Sequence, residues 1–231
     1  MGFDFTKRDV VVTGATGELG GAVARLLLEA GATVHLPVRD AAKAAALFAH
    51  DRARVTVVRD LGDEAAVTAF YAALPSLWAS IHVAGGFAWG RVDDIPLSGF
   101  RSMLDMNAVP TFLCCREAVK RLRGRGGRIV NVAAQPGVEP RRGAGKSAYA
   151  AGKAAVAALT LALAEELTDE GIWVNAVVPS IMDTAANRKD MPDADHAKWP
   201  KVSEVAATIA FLASPENTVT RAALVPVYGK S

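Results

Sequence analysis

The chain has 231 residues, 51% of them hydrophobic, and a formal net charge of +2. That length suits one domain with a large core, and so mild a charge argues against a general polyanion binder. Cys114 and Cys115 are adjacent and the four histidines (His35, His50, His82, His196) are scattered, so neither a disulfide framework nor a metal centre is expected.

The opening, MGFDFTKRDVVVTG, runs straight into a strand-like segment without the pattern of a secretory leader. Met1-Gly2 with Thr6 matches the start of a myristoylation signal, but nothing else supports an anchor. No apolar run is read as long enough to span a membrane, and a reduced, cytoplasmic protein is expected. β-Branched runs recur at 9–13, 32–38, 53–58, 79–84, 127–133, 172–178 and 223–228. Helical patterns lie between them at 18–31, 41–50, 63–74, 99–123, 147–171 and 203–214. Apolar strands alternating with helices imply a seven-stranded parallel sheet with helices on both faces. The expected fold is a Rossmann-type, doubly wound α/β domain spanning residues 1–231 as one unit.

After the first strand, Gly14, Gly17 and Gly20 open a helix. Glycines there let the backbone turn tightly and approach a pyrophosphate, which the helix N-terminus attracts. After the second strand comes Arg39, where the adenosine ribose of a dinucleotide would lie. A cation there suits the 2′-phosphate of NADP, so NADP(H) is favoured, with NAD(H) the alternative that the neighbouring Asp40 keeps open. The basic run 116–128 ends an amphipathic helix and lacks interleaved aromatics, so it reads as a solvated helix end and not a nucleic-acid patch. Tyr149 and Lys153 share one face of the next helix. A phenol titrates near 10, and a lysine cation beside it is expected to lower that value towards acid–base work. The irregular stretch 180–201 follows a strand end at the ligand-binding edge and reads as a substrate lid.

Taken in order, these features resemble the short-chain dehydrogenase/reductase family over almost the whole chain. Thr13-Gly14-Ala15-Thr16-Gly17-Glu18-Leu19-Gly20 resembles its cofactor loop, implying contacts from Gly14, Thr16, Gly17, Glu18 and Leu19. Asp60-Leu61 matches the adenine-contacting position. His82-Val83-Ala84-Gly85 stands where the family has Asn-Asn-Ala-Gly, with Ala84 and Gly85 retained. Asn107 matches the catalytic asparagine that supports a water relay, and Tyr149 and Lys153 match its Tyr-x-x-x-Lys motif. Pro179 to Thr184 resembles the segment around the nicotinamide, with Pro179 and Thr184 as contacts. The resemblance implies that Lys153 also holds the nicotinamide ribose. It further implies a homodimer or homotetramer paired through the 99–123 and 147–168 helices, with no nucleic-acid or membrane partner.

The departure lies at the fifth strand, which ends in Ala133-Ala134 where most members have Ser-Ser. A missing oxyanion-type donor is worth about 3 kcal/mol. Gln135 and Ser147 are candidate replacement donors. Dihydropteridine reductases also have alanine there, and their quinonoid substrate needs little polarisation. The stretch from Val83 to Gly90 resembles theirs, so Phe87, Trp89, Ala134 and Gln135 are candidate contacts to a flat, conjugated small-molecule substrate. The resemblance therefore implies an NAD(P)H-dependent oxidoreductase acting on C=O or C=N. A catalytically impaired dinucleotide-binding sensor or regulatory subunit is the alternative.

Overall fold

Val10, Val11 and Val12 in the first strand, β1 (Asp9–Thr13), show how the sheet is covered. Val10 and Val12 enter one apolar layer and Val11 the other. Side chains alternate across a strand, so a strand apolar at every position needs cover on both faces. The computed structural model describes residues 2–231, and Met1 of the opening pair lies outside the described residues.

Six further strands follow: β2 (Thr33–Val38), β3 (Ala53–Val57), β4 (Ala79–His82), β5 (Gly127–Val132), β6 (Ile172–Pro179) and β7 (Leu224–Val227). All pair in parallel, in the order β3-β2-β1-β4-β5-β6-β7. The helices are α1 (Glu18–Glu29), α2 (Ala41–Leu47), α3 (Glu64–Ala72), α4 (Leu97–Leu122), α5 (Gln135–Val138), α6 (Ser147–Glu166), α7 (Ala185–Asp190) and α8 (Val202–Ala213). α1 and α8 pack together on one face of the sheet, while α3, α4 and α6 cover the other. This is the single-domain, doubly wound α/β fold, with its switch point between β1 and β4.

The structure corrects several sequence-based boundaries. β3 is an edge strand with Val57 half exposed, so cover on both faces fails there. The 147–171 pattern breaks at Glu166 into a 3₁₀ turn, which Gly171 ends at φ 66°. The 180–201 stretch is less irregular than expected. Thr184 caps the short α7, and Asp183 bonds through its backbone N–H to the Pro200 carbonyl, pinning both ends together.

α6 corrects the expectation about membrane-length segments. It is long and apolar enough in length and composition to cross a bilayer. Its alanines let it pack closely against α4, α5 and β6 instead. The basic run is also largely satisfied, since Arg116 pairs with Glu64 and Glu117, and Arg123 with Glu170.

A buried polar chain stands behind the switch point. Tyr71 bonds Ser80 at 2.7 Å, and Ser80 bonds His82 Nε2 at 2.8 Å. His82 Nδ1 meets Asn131 Oδ1 at 2.8 Å, and Asn131 Nδ2 donates to Thr160 Oγ1 at 3.0 Å. Thr160 in turn donates to the Val156 carbonyl. Because Thr160 spends its proton on Val156, Asn131 must donate to it through Nδ2, which turns Oδ1 towards an Nδ1–H of His82. Burial pushes His82 down to about 4, so the ring is neutral and its Nε2 accepts from Ser80. Asn131→Ala would orphan groups on β4 and α6. It is expected to cost about 2–4 kcal/mol, read as a lower urea midpoint with unchanged slope.

Candidate active site

A cleft of about 890 Å³ crosses the C-terminal edge of the sheet. The strand order puts Arg39, Arg59 and Asp60, which follow β2 and β3, towards one end. Ala133, Ala134, Tyr149 and Lys153, from β5 and α6, lie towards the other.

The loop between β1 and α1 lies between these ends. Gly14 has φ 70°, and a Cβ on it would come within 2.8 Å of the Ala84 backbone nitrogen. A Cβ on Gly20 would lie 2.3 Å from the Gly14 carbonyl oxygen. Only glycine lets the turn, the helix start and the β4 exit meet this closely. Gly17 caps α1 without a side-chain hydrogen bond, so the first-turn N–H groups have no side-chain acceptor and suit an anion.

At the other end, Asn107 is fully buried on α4. It donates to the carbonyls of Gly86 at 3.0 Å and Met103 at 2.9 Å, and accepts from the Gly86 N–H. Asn107 therefore fastens the loop after β4. A Cβ on Gly85 would lie 2.7 Å from Asn107 Oδ1 and 3.3 Å from Lys153 Nζ, so these three residues converge. Gly152 lets α6 approach α4, since a Cβ there would reach the Met103 carbonyl at 2.8 Å. Lys153 is buried and donates to the Val132 carbonyl at 2.7 Å. Its burial pushes the ammonium down to about 8. Burial also pushes the Tyr149 phenol up to about 12, opposite to the lowering expected from a neighbouring lysine. Desolvation of the phenolate sets that direction.

The cleft brings together Gly14, Thr16, Gly17, Leu19, Arg39, Asp60, Leu61, Ala84, Gly85, Phe87, Asn107, Ala134, Tyr149, Lys153 and Pro179. Four sequence-predicted residues lie outside its lining. Glu18 is exposed on the first turn of α1, and Thr184 turns its hydroxyl to the Asn187 N–H. Gln135 donates to Glu139, and Trp89 packs edge-on against Phe87. Ser147 is exposed and also outside the lining. From the proposed lid, Ser180 and Met182 reach the cleft, while the stretch from α7 onward does not. Sequence reasoning missed Lys43 and Arg59, which line the cleft with Arg39. Their signal was present: Lys43 lies one helical turn beyond Arg39, and Arg59 directly precedes Asp60. Asp40 is spent at the N-cap of α2, accepting from the Lys43 N–H at 3.0 Å.

Residues 8–195 match the family model of short chain dehydrogenases. This chain belongs to that family. It is 33% identical to the cis-4-hydroxycyclohexanecarboxylate dehydrogenase of Sinomonas cyclohexanicum, over 99% of this chain and 98% of that protein. It is 29% identical to the rhamnolipids biosynthesis 3-oxoacyl-(acyl-carrier-protein) reductase of Pseudomonas aeruginosa, over 98% and 97% of the two chains. A solved short chain dehydrogenase/reductase family protein superposes with a TM-score of 0.90 at 29% identity, covering 98% of this chain and 97% of that one. The chain is accordingly an oxidoreductase, and the sensor alternative is not favoured.

Short chain dehydrogenases bind a nicotinamide dinucleotide, and this cleft fits one. The side-chain-free approach at Gly14 and Gly20, the uncapped α1 N-terminus and the polar convergence at Gly85 match a pyrophosphate and a ribose. The protonation state of Lys153 in the free protein is readable from the pH dependence of its side-chain ¹³Cε NMR shift. Lys153 is cationic below about pH 8 and neutral above it. A titration from about pH 6.5 to 10 is expected to show one step centred near 8, below the usual lysine value of about 10.4.

Proposed function

We propose that the chain is an NADP(H)-dependent reductase of a C=O or C=N group on a flat, electron-poor ring. The observation that carries this reading is the apolar floor: Ala133 and Ala134 line the cleft beside Tyr149, while Gln135 and Ser147 lie outside it. Where the resemblance places a polarising serine, this chain offers a methyl group. A substrate already activated by conjugation, as in the dihydropteridine reductases, needs no such donor. The name of the Sinomonas relative, a dehydrogenase of a cyclic alcohol, supports a ring as the substrate frame.

When bound, the nicotinamide supplies or takes up hydride. Tyr149 holds the proton that goes to the substrate oxygen or nitrogen, and Lys153 stabilises the phenolate left behind and holds the adjacent ribose. Asn107 positions the Gly85-Gly86 backbone against both. Phe87 packs edge-on against Tyr149 at 4.8 Å and sets the orientation of the phenol. Arg39, Lys43 and Arg59 favour a 2′-phosphate, since Asp40 is engaged at its helix cap.

A panel of cyclic ketones, imines and quinonoid pterins, followed by NADPH oxidation, tests the reading; no turnover of any of them overturns it. Tyr149→Phe is expected to lower turnover about 10²–10⁴-fold. Its NADPH affinity, titrated by fluorescence, should stay close to wild type. Arg39→Ala is expected to weaken NADPH binding about tenfold to a hundredfold while leaving NADH binding nearly unchanged.

A further inference from the structure

Tyr149 begins a line of packed groups that leads out of the cleft. Phe87 packs on Tyr149 with centroids 4.8 Å apart, and Trp89 on Phe87 at 5.1 Å, both edge-on. Lys146 Nζ then lies 4.9 Å from the Trp89 ring centroid. The two loops carrying these groups are tied together: the Gly90 N–H donates to the Gly145 carbonyl at 2.9 Å, and Gly90 bridges Lys146. The line is therefore fixed by backbone as well as by ring contacts.

Two features are unusual for a surface. Phe87 is 48% and Trp89 57% exposed, so an aromatic edge faces solvent directly beside the proton donor. Lys146 is partly buried, its pKa is lowered by that burial, and no carboxylate lies within ion-pair distance of it among the described residues. The ammonium is thus held near the Trp89 ring, without a carboxylate partner, where an anion on a ligand could pair with it.

We propose that Lys146 is a specificity-determining residue that selects ring substrates carrying a carboxylate or similar anion. The ring would lie along Phe87 and Trp89 with its reacting carbon at Tyr149, and the anion would extend outward to Lys146. This deepens the reading of a flat-ring reductase and rests on it. It also explains why Lys146 precedes Tyr149 by a single turn: one helix start sets both the proton donor and the charge that orients the substrate.

The test separates binding from turnover. Isatin-5-carboxylate, isatin-6-carboxylate and their methyl esters are flat, electron-poor ring ketones that differ in charge. Their affinities for the Tyr149→Phe enzyme saturated with NADP⁺ are measured by calorimetry, so no chemistry intervenes. At least one acid is expected to bind about tenfold to a hundredfold more tightly than its ester. That ratio should shrink towards one in Tyr149→Phe/Lys146→Met and persist in Tyr149→Phe/Lys146→Arg. It should also shrink with rising salt. Equal affinities for acids and esters, no measurable binding of either, or a preference that survives Lys146→Met overturns the proposal. Turnover of isatin by the wild type separately tests the flat-ring reading, so the two failures are distinguishable.

Discussion

An ammonium group sits in the interior of this protein, with the Val132 carbonyl as its hydrogen-bond acceptor. A buried cation is expensive unless its surroundings are built for it, and much of the site is arranged around this one. Gly137 lets the segment after β5 press against the Lys153 backbone, where a Cβ would come within 2.6 Å. Gly152 brings α4 and its Asn107 close, and Gly85 leaves the ammonium facing the cleft. Three missing side chains thus surround one lysine. The bond also ties the end of β5 to α6, the helix that carries Tyr149.

The same arrangement explains how polarity is divided along the cleft. The half around Gly14, Gly17 and Gly20 combines close backbone approach with the cations Arg39, Lys43 and Arg59 and one carboxylate, Asp60. The half around Tyr149, Lys153 and Asn107 has two alanines, Ala133 and Ala134, where the strand β5 ends, with Met106, Pro179 and Met182 beside them and Asp105 and Ser180 as further polar groups. Chemistry there depends on what the substrate brings with it. What enters this half meets two alanines, a phenol whose value is raised by burial and an ammonium whose value is lowered by it. Each of these shifts favours the neutral form, yet at neutral pH they leave the phenol protonated and the lysine still cationic.

Much of this was legible in the residues. Strands apolar at every position predict the parallel sheet, and Gly14, Gly17 and Gly20 predict the tight turn into α1, because both rest on local backbone rules. What was not legible depended on three-dimensional neighbours. Spacing put Tyr149 and Lys153 on one face but said nothing of desolvation, which reversed the expected direction for the phenol. Trp89, Gln135 and Thr184 lie outside the cleft lining because their side chains meet other partners, and Glu18 because it faces solvent. The acceptor of Lys153 is a backbone carbonyl, which no residue type announces. β3 has a composition like that of its neighbours, which predicts cover on both faces; only the strand order reveals it as an edge. No uninterrupted apolar run of membrane length is read in the sequence, yet α6 reaches that length and mean hydropathy with alanine, glycine and threonine among its residues.

The chain of hydrogen bonds from Tyr71 through His82 to Thr160 has a fixed sense. Every proton points the same way, and the last one is given to the carbonyl of Val156, on the same helix as Lys153. A carbonyl cannot pass a proton on, and His82 stays neutral well below neutral pH. Although it runs close to a proton-transfer site, this chain delivers no proton to it. It braces α6 from behind through the whole pH range in which the enzyme would work, a strut and not a wire.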